Sequence, residues 1–113
     1  MFQGAAALNL DVKGRLGVPT RFRDELMAAC GGQVVITVHP HRCLLIYPEP
    51  VWEPIRDEVL ARNSLDDTSA KMRRLFVGNA NPETLDSVGR LLIAPELRAR
   101  VHLEKKVWLV GQG

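Results

Sequence analysis

The chain has little of what marks metal, redox, membrane or catalytic proteins. Only two cysteines occur in 113 residues, Cys30 and Cys43. They form no Cys-x-x-Cys pair, so neither a zinc site nor a dithiol redox motif is indicated. Two isolated cysteines in a core-forming chain read as reduced thiols of a cytosolic protein. The start of the chain, Met1-Phe2-Gln3-Gly4, has no basic stretch followed by an apolar one, so no secretory signal is expected. Apolar runs such as Cys43 to Tyr47 are far too short to span a bilayer, and no membrane partner is expected. A catalytic constellation is missing too. No Ser-His-Asp order and no paired catalytic carboxylates emerge, and Gly14 and Gly89 stand singly rather than in a phosphate-cradling loop. An enzyme is not expected, nor a cofactor.

Charge of one sign is also scarce. Fifteen Lys and Arg face thirteen Asp and Glu, for a net charge of +2 and an isoelectric point near 8.8. Bulk charge therefore does not announce nucleic-acid binding, and only its arrangement could. His39-Pro40-His41-Arg42-Cys43 puts alternate ligand-type side chains on one face of an extended segment. The spacing matches no zinc rule, and a strand-to-strand turn is the simpler account.

What the chain does have is an internal repeat. Leu10-Asp11-Val12-Lys13-Gly14-Arg15-Leu16 returns as Leu85-Asp86-Ser87-Val88-Gly89-Arg90-Leu91, 75 residues later. The match continues through Val18 and Ile93, Phe22 and Leu97, and Arg23 and Arg98. A looser echo precedes each copy, Phe2-x-Gly4-x-Ala6 and Phe76-x-Gly78-x-Ala80. In each copy Asp11 or Asp86 can accept backbone N–H groups of a tight turn, and Gly14 or Gly89 tolerates positive φ. Residues 16–18 read as a short strand, with Thr20 as the N-cap of a following helix. Phe22, Leu26, Met27 and Cys30 form its apolar stripe, and Gly31-Gly32 stops it. Val34 to Val38 closes the first copy, and Val107 to Val110 closes the second. Pro95 starts a shorter helix with Leu97 and Val101 on one face.

Between the copies lies a helical hairpin. Trp52, Ile55 and Val59 recur at helical spacing, so residues 49–63 read as an amphipathic helix, with Pro54 delaying or kinking its start. A second helix is expected from Asp66 or Asp67 to Phe76, with Thr68, Met72, Leu75 and Phe76 facing inward. Lys71, Arg73 and Arg74 read as its solvated face. Trp52, Trp108, Phe22 and Phe76 read as core or subunit interface. One asymmetry remains: residues 41–48 form a further strand in the first copy that the second does not have. Truncation relative to a longer natural protein is the expectation this raises.

Arg15 and Arg90 have two readings. Each could pair with Asp11 or Asp86 and simply tie its turn, although an exposed pair adds only about 0–1 kcal/mol. Each could instead meet phosphate or a guanine edge, which the guanidinium fork suits. The readings coexist if the Asp orients an Arg that then meets DNA. Lys13, Arg21 and Arg23 add positives nearby that would supply affinity with little sequence information.

These blocks resemble the MraZ family of bacterial regulators. The residues concerned are Met1-Phe2-x-Gly4, the segment from Leu10 to Pro19, Asp86-x-x-Gly89-Arg90-Leu91-Leu92-Ile93-x-Pro95, and Leu109-Val110-Gly111-Gln112. The same Asp-x-x-Gly-Arg pattern is that of the wider AbrB-like swapped-hairpin superfamily. The resemblance implies an α+β fold with tandem AbrB-like split β-α-β repeats, forming one intramolecular pseudo-dimeric β-barrel with a linking helical hairpin. The expected divisions are residues 1–48, a first repeat; 49–75, linking helices; and 76–113, a second repeat without its last strand. It further implies a cytoplasmic, nucleoid-associated homo-oligomer in an octamer-like ring, bound to double-stranded promoter DNA. It would regulate, as a repressor, the division and cell wall gene cluster through repeated boxes. The family's Asp-x-x-x-Arg motif falls on Asp11 with Arg15 and on Asp86 with Arg90; with the positives already noted, the expected DNA-binding residues are Lys13, Arg15, Arg90, Arg21 and Arg23, with Asp11, Gly14, Asp86 and Gly89 supporting the turns. Lys13 has only Val88 opposite it in the second copy, so the first copy is expected to carry most of the DNA contact. The alternative is a protein-interaction or antitoxin-like module that uses the same barrel without specific DNA binding.

Overall fold

A computed structural model describes residues 1–63 and 65–113 of the chain. Its strands are β1 (Gln3–Asn9), β2 (Arg15–Gly17), β3 (Gln33–His39), β4 (Cys43–Pro48), β5 (Asn81–Thr84), β6 (Arg90–Leu92) and β7 (Lys106–Gln112). The helices are α1 (Thr20–Cys30), α2 (Glu49–Ala61), α3 (Asp67–Met72) and α4 (Pro95–Arg100), and a π-helical turn (Arg73–Val77) follows α3 directly. This is a mixed α+β fold built from small antiparallel sheets. The strands pair as β1-β7, β2-β6 and β4-β3-β5 and do not close into one continuous barrel. The central strands β2 and β6 are only three residues long, because each runs at once into a proline-started helix, Pro19 before α1 and Pro95 in α4.

The pairing crosses between the copies. The first strand of copy one, β1, pairs with the last strand of copy two, β7, from Gln3 opposite Gln112 to Asn9 opposite Lys106. Reciprocally, β5 of copy two pairs with β3 of copy one, from Gln33 opposite Thr84 to Ile36 opposite Asn81. The two registers are equivalent: Asn9 meets Lys106 as Thr84 meets Gln33. The flanking bonds repeat as well, Leu10 N–H to Lys105 O at 2.8 Å and Leu85 N–H to Gly32 O at 2.9 Å. In the central ladder Leu16 sits opposite Leu91, its own counterpart in the repeat. Each copy therefore completes the other, an intrachain form of the isologous contact between identical subunits.

Strand alternation makes one core from both copies. Leu10, Leu16, Val18, Phe22, Leu26, Val34, Ile36 and Val38 of the first meet Leu85, Leu91, Ile93 and Leu97 of the second. The opposite face of β3 carries Val35, which packs with Trp52, Val59 and Phe76 into a second cluster under α2 and the π-helical turn. On β4, Leu44 and Ile46 join the first cluster while Leu45 and Tyr47 join the second. The buried Thr37 hydroxyl donates to the Phe76 carbonyl, tying the sheet to the hairpin.

Several local expectations change. Thr20 is the first helical residue, not the cap; Pro19 holds the cap position with no side-chain bond. Its ring fixes φ, so preorganisation replaces the hydroxyl. Met27 is 52% exposed, because the stripe of α1 is only as wide as Phe22 and Leu26. Gly31 does stop α1 in the left-handed conformation. Helix α2 runs unbroken from Glu49 through Pro54 and ends at Ala61, so Pro54 does not delay it. As the sixth helical residue Pro54 lies past the four positions whose N–H groups have no intrahelical acceptor, so α2 continues without the one bond to the Pro50 carbonyl. Thr68 is exposed, and the second helix widens into a π-turn that carries Phe76 inward. In the echo around Phe76 and Gly78 the backbone differs: Phe76 lies in the π-helical turn and Gly78 caps it, whereas Gly4 and Ala6 lie in β1. Arg73 is not on a solvated face. Its guanidinium donates to the carbonyls of Leu60 and Arg62 at 2.8 and 3.4 Å, satisfying the open end of α2.

Candidate nucleic-acid interface

The two Asp-x-x-Gly-Arg turns are near-copies in space. In the first, Asp11 Oδ1 accepts the N–H groups of Lys13 and Arg15 at 2.9 and 2.8 Å, and Oδ2 accepts Arg15 Nε at 2.7 Å. In the second, Asp86 Oδ1 accepts the N–H groups of Val88 and Arg90 at 3.0 and 2.8 Å, and Oδ2 accepts Arg90 Nε at 2.8 Å. Each turn is closed by a backbone bond, Gly14 N–H to Asp11 O and Gly89 N–H to Asp86 O. Both glycines hold φ +81°, the left-handed region in which a side chain is strained. Bonds from the Arg backbone N–H, from its side chain and from the residue at the turn's tip hold each carboxyl below its ordinary value of 3.8, against a smaller opposing effect of desolvation.

Both coexisting readings of the arginines are therefore geometrically open. The ion pair uses Nε alone. Among the described residues no hydrogen bond takes the terminal guanidinium nitrogens of Arg15 or Arg90. The central ladder then joins the two strands that carry them. Arg15 lies opposite Leu92 and Arg90 opposite Gly17, so the arginines form a diagonal pair on one face. Such neighbours have Cβ atoms within about 7–8 Å. Leu16 and Leu91 point the other way, into the core. Gly17 has no side chain to cover Arg90, and a β-carbon there would meet nothing within 4 Å.

The other candidates divide. Lys13 is exposed at the tip of the first turn, and Val88 holds the same place in the second. Arg21 is not at either turn; its guanidinium lies over the Phe22 ring at 4.7 Å and beside Gly4 of β1. Arg23 reaches across to the second copy, where Nη1 lies 3.5 Å from the Val88 carbonyl. Arg98 Nε donates to the Ile93 carbonyl at 2.9 Å, with its guanidinium against Gly14. The repeat match of Arg98 to Arg23 is thus a match in space as well, each side chain lying against the glycine of the other copy's turn. The His39–Cys43 segment is a hairpin turn in which His39 Nδ1 accepts the His41 N–H at 3.0 Å, and Arg42 takes φ +61°. No helix among the described residues is long and apolar enough to cross a membrane.

Fold and site define a class: two Asp-x-x-Gly-Arg copies in one chain, exchanging strands and sharing one arginine-bearing ladder. The family model described as "MraZ protein, putative antitoxin-like" matches residues 1–75. Along its whole length the chain is 60% identical to the transcriptional regulator MraZ of Dechloromonas aromatica, covering 76% of that protein. It is 53% identical over the same span to those of Methylobacillus flagellatus and Azoarcus sp., again covering 76% of each. The chain belongs to the MraZ family of transcriptional regulators.

Proposed function

We propose that this chain regulates transcription by binding double-stranded promoter DNA sequence-specifically, without enzymatic activity and without a cofactor. The observation that carries the reading is the diagonal Arg15–Arg90 pair. The two arginines share one face of the β2–β6 ladder in equivalent positions, each anchored at Nε by its own turn's Asp, with no hydrogen bond on the terminal nitrogens among the described residues. That arrangement suits bidentate contact to phosphate or guanine in a duplex. Lys13 adds a positive charge at the first turn alone, so the first copy carries the larger share of contact. Arg21 and Arg23 contribute to the surrounding field. The reciprocal strand exchange supports an intramolecular pseudo-dimer about one barrel-like core, with repeats at 1–48 and 76–113 and linking helices at 49–75.

A chain of net charge +2 binds weakly alone. Copies joined in an octamer-like ring on repeated promoter boxes would bind tightly through effective concentration. Repression of the division and cell wall cluster, in the cytoplasm at the nucleoid, completes this reading. Replacing Arg15 with Ala should abolish promoter binding in a gel shift while leaving the size-exclusion profile unchanged; undiminished binding would remove Arg15 from the site. Wild-type affinity should fall roughly ten-fold or more between about 50 and 200 mM salt if several phosphates are contacted.

A second reading has an observation of its own. Trp108 and Val110 are 72% and 55% exposed on the outer face of β7, a surface that suits a protein partner. In an antitoxin-like or scaffold module, affinity for the chain's own upstream DNA would be no better than for random DNA.

A further inference from the structure

Each turn is held by an arginine from the opposite copy. Arg98 belongs to α4 of the second copy, yet its guanidinium covers Gly14 in the first turn: a β-carbon at Gly14 would lie 2.6 Å from Arg98 Cζ. Arg23 belongs to α1 of the first copy, yet it covers Gly89 in the second turn: a β-carbon there would lie 2.5 Å from Arg23 Cδ and 2.6 Å from Nη1. The backbone is crossed in the same sense. Ile93 N–H donates to Gly14 O, and Val18 N–H donates to Gly89 O, both at 2.9 Å. Ile93, in Arg98's own copy, is held at both its backbone groups, since its carbonyl accepts Arg98 Nε. Arg23 instead reaches the turn directly, toward the Val88 carbonyl.

We propose that Arg98 and Arg23 are positioning residues that set the opposite copy's Asp-x-x-Gly-Arg turn, Arg98 for the turn bearing Arg15 and Arg23 for the turn bearing Arg90. For Arg23 this replaces a direct phosphate contact as its main role. The glycine and the arginine are mutually required: only a residue without a β-carbon lets the arginine side chain lie this close to the turn. A planar fork with a fixed Nε–H direction can do this, while a lysine ammonium on a flexible stem cannot. Both half-sites then form only when both copies are folded against each other. A turn whose arginine is already oriented loses less freedom when it meets its ligand, which is how a residue away from the ligand supports affinity.

The proposal rests on the DNA-binding reading only for its effect on affinity; its structural part is tested without DNA. Amide hydrogen exchange by NMR on the full chain is the first measurement, with Arg98→Ala and Arg23→Ala. The expected pattern is crossed. Arg98→Ala speeds exchange at Lys13 and Arg15 roughly five-fold or more, the equivalent of one net hydrogen bond, and leaves Val88 and Arg90 unchanged. Arg23→Ala does the reverse. Exchange that changes only within the variant's own copy, or in neither turn, overturns the proposal. DNA titration is the second measurement. Arg98→Lys keeps the charge, so it should bind as poorly as Arg98→Ala if the role is positioning; restored binding would make Arg98 a plain charge contact. Wild-type protein with no preference for its upstream DNA would remove the DNA reading, and the crossed exchange pattern would still decide the positioning.

Discussion

Gly14 shows how tightly a single residue can be constrained from two directions. Its φ of +81° excludes a side chain on backbone grounds, and the guanidinium of Arg98 fills the space a β-carbon would need. Left-handed conformations alone cost a residue with a β-carbon about 1–2 kcal/mol. Gly14→Ala should therefore destabilise the chain by about 1–3 kcal/mol in urea unfolding. Gly17→Ala should be close to neutral, because that position has ordinary φ and open space. Equal losses at both positions would show that the Arg98 contact and the positive φ do not matter. Asp11 and Asp86 make a second prediction at this scale. Their folded pKa values are lowered below the ordinary 3.8, first by the backbone N–H of Arg15 or Arg90. Their contribution to stability is therefore fully present above about pH 3.8 and is lost as pH falls through the lower, folded value. Carboxyl resonances followed by NMR should titrate below 3.8 in the folded chain and move up to it in urea; titration at or above 3.8 in the folded state would contradict the turn geometry.

Among the elements, the helical cap is held by a three-ring cluster. Trp52 lies 5.1 Å from Phe76 and 5.8 Å from Tyr47 between ring centroids, and burial raises the Tyr47 pKa. Trp52→Ala should cost about 3–5 kcal/mol by the usual scale for large core truncations. A loss under about 1 kcal/mol in thermal or urea melts would mean the cap contributes little to stability. Elements set by short-range rules were legible in the sequence: the two turns, the stop at Gly31, strands β3 and β4, and the amphipathic α2. The positions misread were those decided by distant partners. Met27, Thr68 and Arg73 follow helical spacing well enough, but which side of a helix meets a neighbour depends on the neighbour. The π-turn illustrates this most clearly. Residues 73–77 repeat no local signal for it, and Phe76 reaches the Trp52 cluster from that wider turn. Likewise the repeat exposed Arg15 and Arg90 as counterparts, but not as neighbours. Their pairing needs the register of β2 against β6, which a three-residue strand cannot encode by itself.

For the molecule as a whole, strand exchange has a thermodynamic consequence. Among the described residues β1 pairs with β7 and β5 with β3, each across the two copies, and the main core takes residues from both copies. Strand β3 also separates the two clusters while contributing to each, with Val34, Ile36 and Val38 on one side and Val35 on the other. Neither copy can then unfold and leave the other intact, so the copies are not independent domains in the energetic sense. The two tryptophans report on different regions, Trp52 inside the helical cap and Trp108 on the outer face of β7. Fluorescence from Trp108→Phe therefore follows the cap, and fluorescence from Trp52→Phe follows the β1–β7 ribbon. Each variant's urea midpoint should coincide with the midpoint of its own far-ultraviolet circular dichroism, as a single cooperative transition requires. An early Trp108 transition, with dichroism largely retained, would mean that the ribbon detaches as a separate unit. The reciprocal pairing would then be a contact between two units rather than the means by which one unit folds.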